Sequence, residues 1–141
     1  MIATTTHGLN YLVKLMPGFI QEVERNESEL LVADNNSRDG TTNFLTKFDC
    51  TVKINTKNLN FSKANNQLAL IAQGDYVLLL NNDTWIRPGL IEEMLKVFKE
   101  NPKVGAVGCL CVREVDKRVH HAGVCFTEDY VPYELGLEVV G

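Results

Sequence analysis

The sequence predicts an α/β fold, a mostly parallel, Rossmann-like sheet flanked by helices, and three observations predict it. Short β-branched and aliphatic runs alternate along the chain with segments of helical spacing. Strands that alternate with helices form βαβ units, whose strands pair in parallel through right-handed crossovers. Residues 75–80 are almost continuously apolar rather than alternating, the pattern of a strand covered on both faces. Polar residues gather directly after the strand-like runs, at 34–40 and 81–84. In an open parallel sheet, the rim beyond the carboxyl ends of the strands is where ligands sit.

The elements follow in order. Residues 2–6 form a β-branched stretch and the first expected strand. From Leu9 to Arg25 apolar positions recur at helical spacing (Leu12, Leu15, Met16, Phe19, Ile20, Val23), interrupted by Pro17-Gly18. The proline is expected to kink or split this helix. Residues 29–33 predict the second strand, 34–40 a polar turn, 41–48 a short helix and 51–55 the third strand. Ser62 is a candidate N-cap for a helix over 62–73, ended by Gly74. After the fourth strand, Pro88 opens a helix with the stripe Leu90, Ile91, Met94, Leu95, Phe98, running to Asn101-Pro102. Residues 104–112 predict a fifth strand and 119–126 a sixth.

At 141 residues, 45% hydrophobic and 23% charged, the chain has the size and balance of one globular domain, 1–141. A net charge of −4 argues against nucleic acid as a partner, which needs a basic surface to displace counterions. No apolar run approaches the roughly 20 residues that span a bilayer. The first residues lack a basic segment leading into a long apolar run, so the expected location is cytoplasmic. In that compartment Cys50, Cys109, Cys111 and Cys125 are expected to be free thiols. Cys109 and Cys111, on one face of a strand, could join His120, His121 and Cys125 around zinc. The spacing is not the Cys-x-x-Cys of a zinc knuckle, and buried structural cysteines are the simpler expectation.

Turn chemistry alone explains much of the rim. Asn and Asp tolerate left-handed backbone, and Asp39 or Thr41 suits a helix cap. Yet acids follow two separate strands, Asp34 after the second and Asp83 after the fourth. One carboxylate placed there can accept from a ribose hydroxyl or base N–H, while another holds a hard cation through oxygen.

These residues resemble glycosyltransferase family 2. Residues 31–41 resemble the family's "VVDNxSxDGT", residues 58–66 its "NxGFxxANN" and residues 74–84 its "GxYxLLLNNDT". Residues 104–108 and 121–123 are similar to "VGAVG" and "HAGG", so the likeness runs over about 2–136, nearly the whole chain. The resemblance implies the GT-A fold. It also implies inverting, metal-dependent transfer of a sugar from a UDP-, dTDP- or GDP-linked donor to a hydroxyl of a glycan or lipid-linked acceptor. Such a reaction belongs to polysaccharide or cell-surface glycan synthesis, in the cytoplasm or peripherally at a membrane. Carried over position by position, it implies nucleotide-sugar contacts from Thr6, Asp34, Asn36, Lys63, Asn66 and Asn82. It implies Mg²⁺ or Mn²⁺ at Asp83, with His121 a further candidate near the metal.

Three departures qualify the likeness. The family's "DxD" reads Asn81-Asn82-Asp83, a variant resembling the rhamnosyltransferase-like subgroup. Thr5-Thr6-His7-Gly8 stands in for "TYNG". The general base, in an "ED"-type motif of the acceptor half, has no counterpart, because Glu128-Asp129 follows too closely on the 121–123 segment. The catalytic base is therefore unassigned, and the chain reads as the donor-binding half, truncated at its C-terminal side. The expected protein partner is a chain supplying the missing half, or a second copy in a homo-oligomer; a non-catalytic nucleotide-sugar-binding module and a structural remnant are the alternative functions.

Overall fold

Leu31, Val32, Ala33 and Asp34 are all buried, and a strand with no exposed face must lie inside its sheet with a layer on either side. The computed structural model, which describes residues 2–126 and 132–134, places it there. Strands β1 (Ile2–Thr5), β2 (Leu31–Asp34), β3 (Thr51–Ile54) and β4 (Leu79–Asn81) form a parallel sheet in the order β3-β2-β1-β4. Helices α1 (Leu9–Arg25), α2 (Thr41–Leu45), α3 (Asn60–Ala69) and α4 (Leu90–Glu100) follow the four strands in turn. The chain steps outward from β1 to β3, then returns to the other side of β1 with β4. The strand order therefore reverses between β1 and β4, which is where a ligand crevice forms in such sheets.

Two apolar layers enclose β2. Leu31 and Ala33 pack with Ala64 and Leu68 of α3. Val32 packs on the opposite face with Leu12, Leu15, Met16 and Phe19 of α1, together with Leu30, Leu45 and Leu80. Burying each of these larger side chains stabilises the fold by about 1.5–3 kcal/mol.

Several elements depart from the sequence expectation. Pro17 does not split its helix: α1 runs unbroken from Leu9 to Arg25. Pro17 and Val13 both lie on the exposed side, so the Val13 carbonyl, which loses its helical donor to the proline, can turn to water. Ser62 is not the cap of α3, which starts at Asn60. The Asn60 N–H instead donates to Asn58 Oδ1 at 2.8 Å, and Asn60 takes φ +63°. Asn60 stands where the "NxGF" pattern has glycine, and asparagine adopts that left-handed backbone at low cost among side-chain-bearing residues. The helix ends at Ala69, and the Glu29 carboxylate then accepts the N–H groups of Gln73 and Gly74. Pro88 does not open α4. Pro88-Gly89 forms a turn closed by the Leu90 N–H donating to the Arg87 carbonyl, with Gly89 at φ +86°.

The fourth strand is shorter than 75–80 and is not covered on both faces. Leu80 is buried, but Tyr76, Val77 and Leu79 are about half exposed. Among the described residues β4 pairs only with β1, so it is an edge strand, and the apolar run before it lacks a second neighbour.

The chain divides into two compact units, Met1–Ile91 and Glu92–Gly141. In the second, β5 (Cys111–Val112) and β6 (Val119–His121) pair antiparallel, as do β7 (Val124–Phe126) and β8 (Pro132–Glu134). The strand expected over 104–112 is thus reduced to its last two residues. Gly105 and Gly108 face open space, and the run before Cys111 finds no ladder to join among the described residues. The strand expected over 119–126 breaks at Ala122-Gly123, where Gly123 has φ +128°, outside extended geometry. No described residue of α4 is fully buried. No helix among the described residues is long and apolar enough to cross a membrane.

Candidate functional site

The site is built at the reversal of strand order. Thr5 stands level with Asp34, and Thr4 with Asn81, so the carboxyl ends of β2, β1 and β4 form one rim. Asp34 and the 81–84 turn flank β1, about 10 Å apart at two strand spacings. Across the switch point, Asn82 Nδ2 donates to the buried Thr5 hydroxyl at 2.9 Å. Gly8 closes over this pair: a Cβ there meets Thr5 Oγ1 at 2.1 Å and Asn82 Nδ2 at 2.3 Å. Only a glycine lets the first turn of α1 come down on the rim. Asn82 and Asp83 are the corners of a turn closed by the Thr84 N–H donating to the Asn81 carbonyl at 3.2 Å. The Asp83 side chain is exposed.

The loop after β2 is stitched to the same rim. The Asn35 N–H donates to the Thr5 carbonyl at 2.8 Å, extending the ladder by one residue. The His7 N–H donates to Ser37 Oγ at 2.9 Å. Asp39 accepts from the Leu9 N–H at 3.1 Å, the Thr41 N–H at 3.1 Å and the Thr41 hydroxyl at 2.6 Å. One carboxylate thus caps the start of α1 and of α2, where helix dipoles favour negative charge. The Thr41 hydroxyl, and after it the Leu9 and Thr41 N–H groups, hold the Asp39 carboxyl below its ordinary value, against the opposing effect of desolvation. Left-handed backbone at Asn36 and Gly40 gives the loop its path.

The expected residues fall into three groups. Asp34, Asn36, Asn82 and Asp83 arrive at one rim, as does Thr6, which is exposed one residue beyond β1. Asp34 does not present its carboxylate to solvent as the sequence reading required. It is fully buried, Oδ1 accepting the Ser37 N–H at 3.0 Å and Oδ2 accepting the Thr42 hydroxyl. A short polar loop folded back over a strand-end acid satisfies that acid internally. Each oxygen keeps a further lone pair, but a ligand reaches them only when the 35–40 loop shifts. Lys63 and Asn66 are exposed on α3, in the layer opposite to α1. His121 lies in the second unit, half-exposed on β6 opposite Cys111.

Sequence reasoning missed Thr5, whose hydroxyl, not that of Thr6, bridges to Asn82. It also passed over Gly8 as a site residue, although the glycine of "TYNG" falls on it. A buried amide chain was missed as well, in which Gln67 donates to Asn55 Oδ1 at 3.0 Å and Asn55 donates to Asn35 Oδ1 at 2.9 Å. Its signal was faint: three amide side chains spread over separate elements.

The residues at the 81–84 turn suit a hard cation. An exposed carboxylate at Asp83 beside the exposed Asn81 amide offers oxygen donors only, the preference of Mg²⁺ and Mn²⁺. Among the described residues no three His, Cys, Asp or Glu side chains form a metal-holding group. Mg²⁺ commonly takes one or two carboxylates and completes its shell with substrate phosphates and water. Cys50, Cys109 and Cys111 are free thiols, and the zinc arrangement considered for the cysteines and histidines does not assemble among the described residues.

The rim, the strand order and the loops that meet there define an α/β domain with a polar rim at the switch point of its parallel sheet, and comparison with known proteins supplies the family. The sequence model described as "Glycosyl transferase family 2" matches residues 9–135. The chain belongs to glycosyl transferase family 2. No curated protein sequence matches it. Its fold is similar to a crystal structure of S. aureus TarS 1-349, with TM-score 0.64 and 19% identity over 80% of this chain and 39% of that one. It is similarly close to TarS 1-349 in complex with UDP (TM-score 0.64, 20% identity, 77% of this chain, 36% of that chain). A longer TarS structure gives TM-score 0.65 and 21% identity over 80% of this chain and 22% of that chain. The chain spans less than half the length of these proteins, and the likeness at such identity establishes the GT-A fold.

Proposed function

We propose that the chain is the donor-binding part of an inverting, metal-dependent glycosyltransferase that takes a nucleoside-diphospho-sugar and transfers its sugar to a hydroxyl acceptor. The observation that carries this reading is the rim at the switch point. There the Asn82–Thr5 bond holds a tight turn whose outer corner is the exposed carboxylate of Asp83. The UDP complex of the structurally similar TarS supports a nucleoside diphosphate as the ligand class. The nucleoside lies over the ends of β1 and β2, near Thr6 and Asn36, and Asp34 exchanges its Thr42 hydroxyl for a donor of the ribose or base once the loop shifts. Asp83, with Asn82 fixed beside it, would hold Mg²⁺ or Mn²⁺. That cation would neutralise charge on the departing diphosphate. Lys63 and Asn66 are proposed contacts of lesser weight. The rhamnosyl-like donor and the glycan or lipid-linked acceptor belong to this proposal too, as does peripheral association with a membrane.

Calorimetry with UDP-, dTDP- and GDP-linked sugars, with and without Mn²⁺, tests the reading. At least one should bind, with an Mn²⁺-dependent gain that Asp83→Ala removes, a loss of roughly tenfold or more. An unchanged gain in Asp83→Ala removes the metal assignment. The closure of the loop over Asp34 favours one other reading, a remnant that keeps the fold without the ligand. Absence of binding to all three donors would establish it.

A further inference from the structure

Glu22 sits on the buried face of α1 with Leu12, Leu15, Met16 and Phe19, only 2% exposed. Desolvating a carboxylate costs several kcal/mol unless its partners are well placed. The ion pair with Arg25, at 3.7 Å to a half-exposed side chain, is a weak partner. The main partners are backbone groups: Gly89 donates to Oε1 at 2.9 Å, and Ile91 to Oε2 at 3.4 Å. These are free N–H groups at the start of α4, where the helix has no internal acceptors and its dipole favours an anion.

The consequence lies in what precedes Gly89. The segment from Asn82 to Gly89 carries Asp83 and is fixed at three points. Asn82 is bonded to Thr5, Ile86 packs against the α1-side core, and Gly89 is held by Glu22. An apolar residue at position 22 would fill the space and leave two N–H groups without acceptors. We infer that Glu22 is a positioning residue for the rim: by holding Gly89 and Ile91 it sets where Asp83 stands, and so sets affinity for a divalent cation carried with a nucleoside diphosphate. The inference rests on the reading of Asp83 proposed above.

The two variants of choice are Glu22→Gln and Glu22→Asp in the full chain. Glutamine keeps the volume but turns an N–H donor toward one of the two backbone donors. Aspartate keeps the charge but reaches less far. Calorimetry with UDP, dTDP and GDP, each with Mn²⁺ and with EDTA, reads the effect. The Mn²⁺-dependent gain in affinity should fall about tenfold in Glu22→Gln and by less in Glu22→Asp, with affinity in EDTA unchanged. Equal losses with and without Mn²⁺ would mark a merely structural role and overturn the inference, as would a gain that survives Glu22→Gln. If Glu22→Gln fails to fold, Glu22→Asp is read by the same criterion. An intact protein with no Mn²⁺-dependent gain overturns the reading of Asp83 and this inference with it. A gain present in the intact protein and indifferent to position 22 overturns the inference alone.

Discussion

At Gly8 the missing side chain is itself the structural feature, because a methyl group would stand 2.1 Å from the Thr5 hydroxyl and 2.3 Å from the Asn82 amide. Gly8→Ala should therefore force the first turn of α1 away from the rim. We predict a loss of about 1–3 kcal/mol in denaturant unfolding, the range for overpacking a well-filled site. Unchanged stability would mean the turn is not closely packed. Asp39 makes a pH prediction. Its carboxyl is held below the ordinary 3.8 in the folded state, first by the Thr41 hydroxyl. The stabilisation it gives is complete above the unfolded value and is lost as pH falls through the lower folded value. Asp39→Asn should flatten the acid limb of stability below about pH 4 and leave the slope near neutrality unchanged. The sequence made some of this legible and some not. Asp39 was recognisable as a possible cap because Asp before Gly-Thr is capping chemistry. Asp34 was legible as a strand-end acid, but not that Ser37 of its own loop and Thr42 of α2 would each bond one of its oxygens. Thr5 was hidden beside Thr6, since two adjacent threonines differ only in which one the pleat turns inward. Glu22 was invisible because a helical stripe is traced through its apolar positions, and a buried carboxylate interrupts that trace.

Elements were readable where a single period dominated. The seventeen-residue α1 matches its expected bounds because its apolar stripe is regular. The turn at Pro17 was misjudged because the sequence does not say which side of the helix the proline faces. Exposed beside Val13, it removes one backbone bond that water can replace. Pro17→Ala should restore that bond and raise stability by about 2 kcal/mol by denaturant unfolding, less whatever the proline gains by restricting the unfolded chain. Destabilisation would show that the ring packs against something essential. The edge strand β4 and the run over 104–110 were misread for one reason. An apolar stretch reports that burial is available, whereas strand structure needs a ladder partner, and neither Tyr76-Val77 nor residues 104–110 has one among the described residues.

For the whole molecule, alternation of strand and helix fixed the α/β class and the parallel pairing, and the reversal of strand order between β1 and β4 placed the rim. Hydrogen exchange should follow the same plan. The amides of Val32, Ala33 and the buried face of α1 should be the slowest, and those of residues 104–110 among the fastest, because protection tracks buried, doubly paired backbone. Fast exchange at Val32 would contradict the central place of β2. What the sequence withheld at this scale was closure, since the state of the loop over Asp34 depends on contacts between Ser37, Thr42 and the rim that no motif encodes. We propose that a nucleoside diphosphate and its cation meet at the Asn81–Thr84 turn beside the start of α1. Amide NMR with Mn²⁺ as a paramagnetic probe tests it most directly, since broadening falls off steeply with distance from the ion. With UDP, dTDP or GDP present, broadening should centre on Asp83 and Thr84 and extend to Gly8, and it should vanish in Asp83→Ala. Broadening centred on other acidic side chains, or spread evenly whether or not nucleotide is added, would place the cation elsewhere.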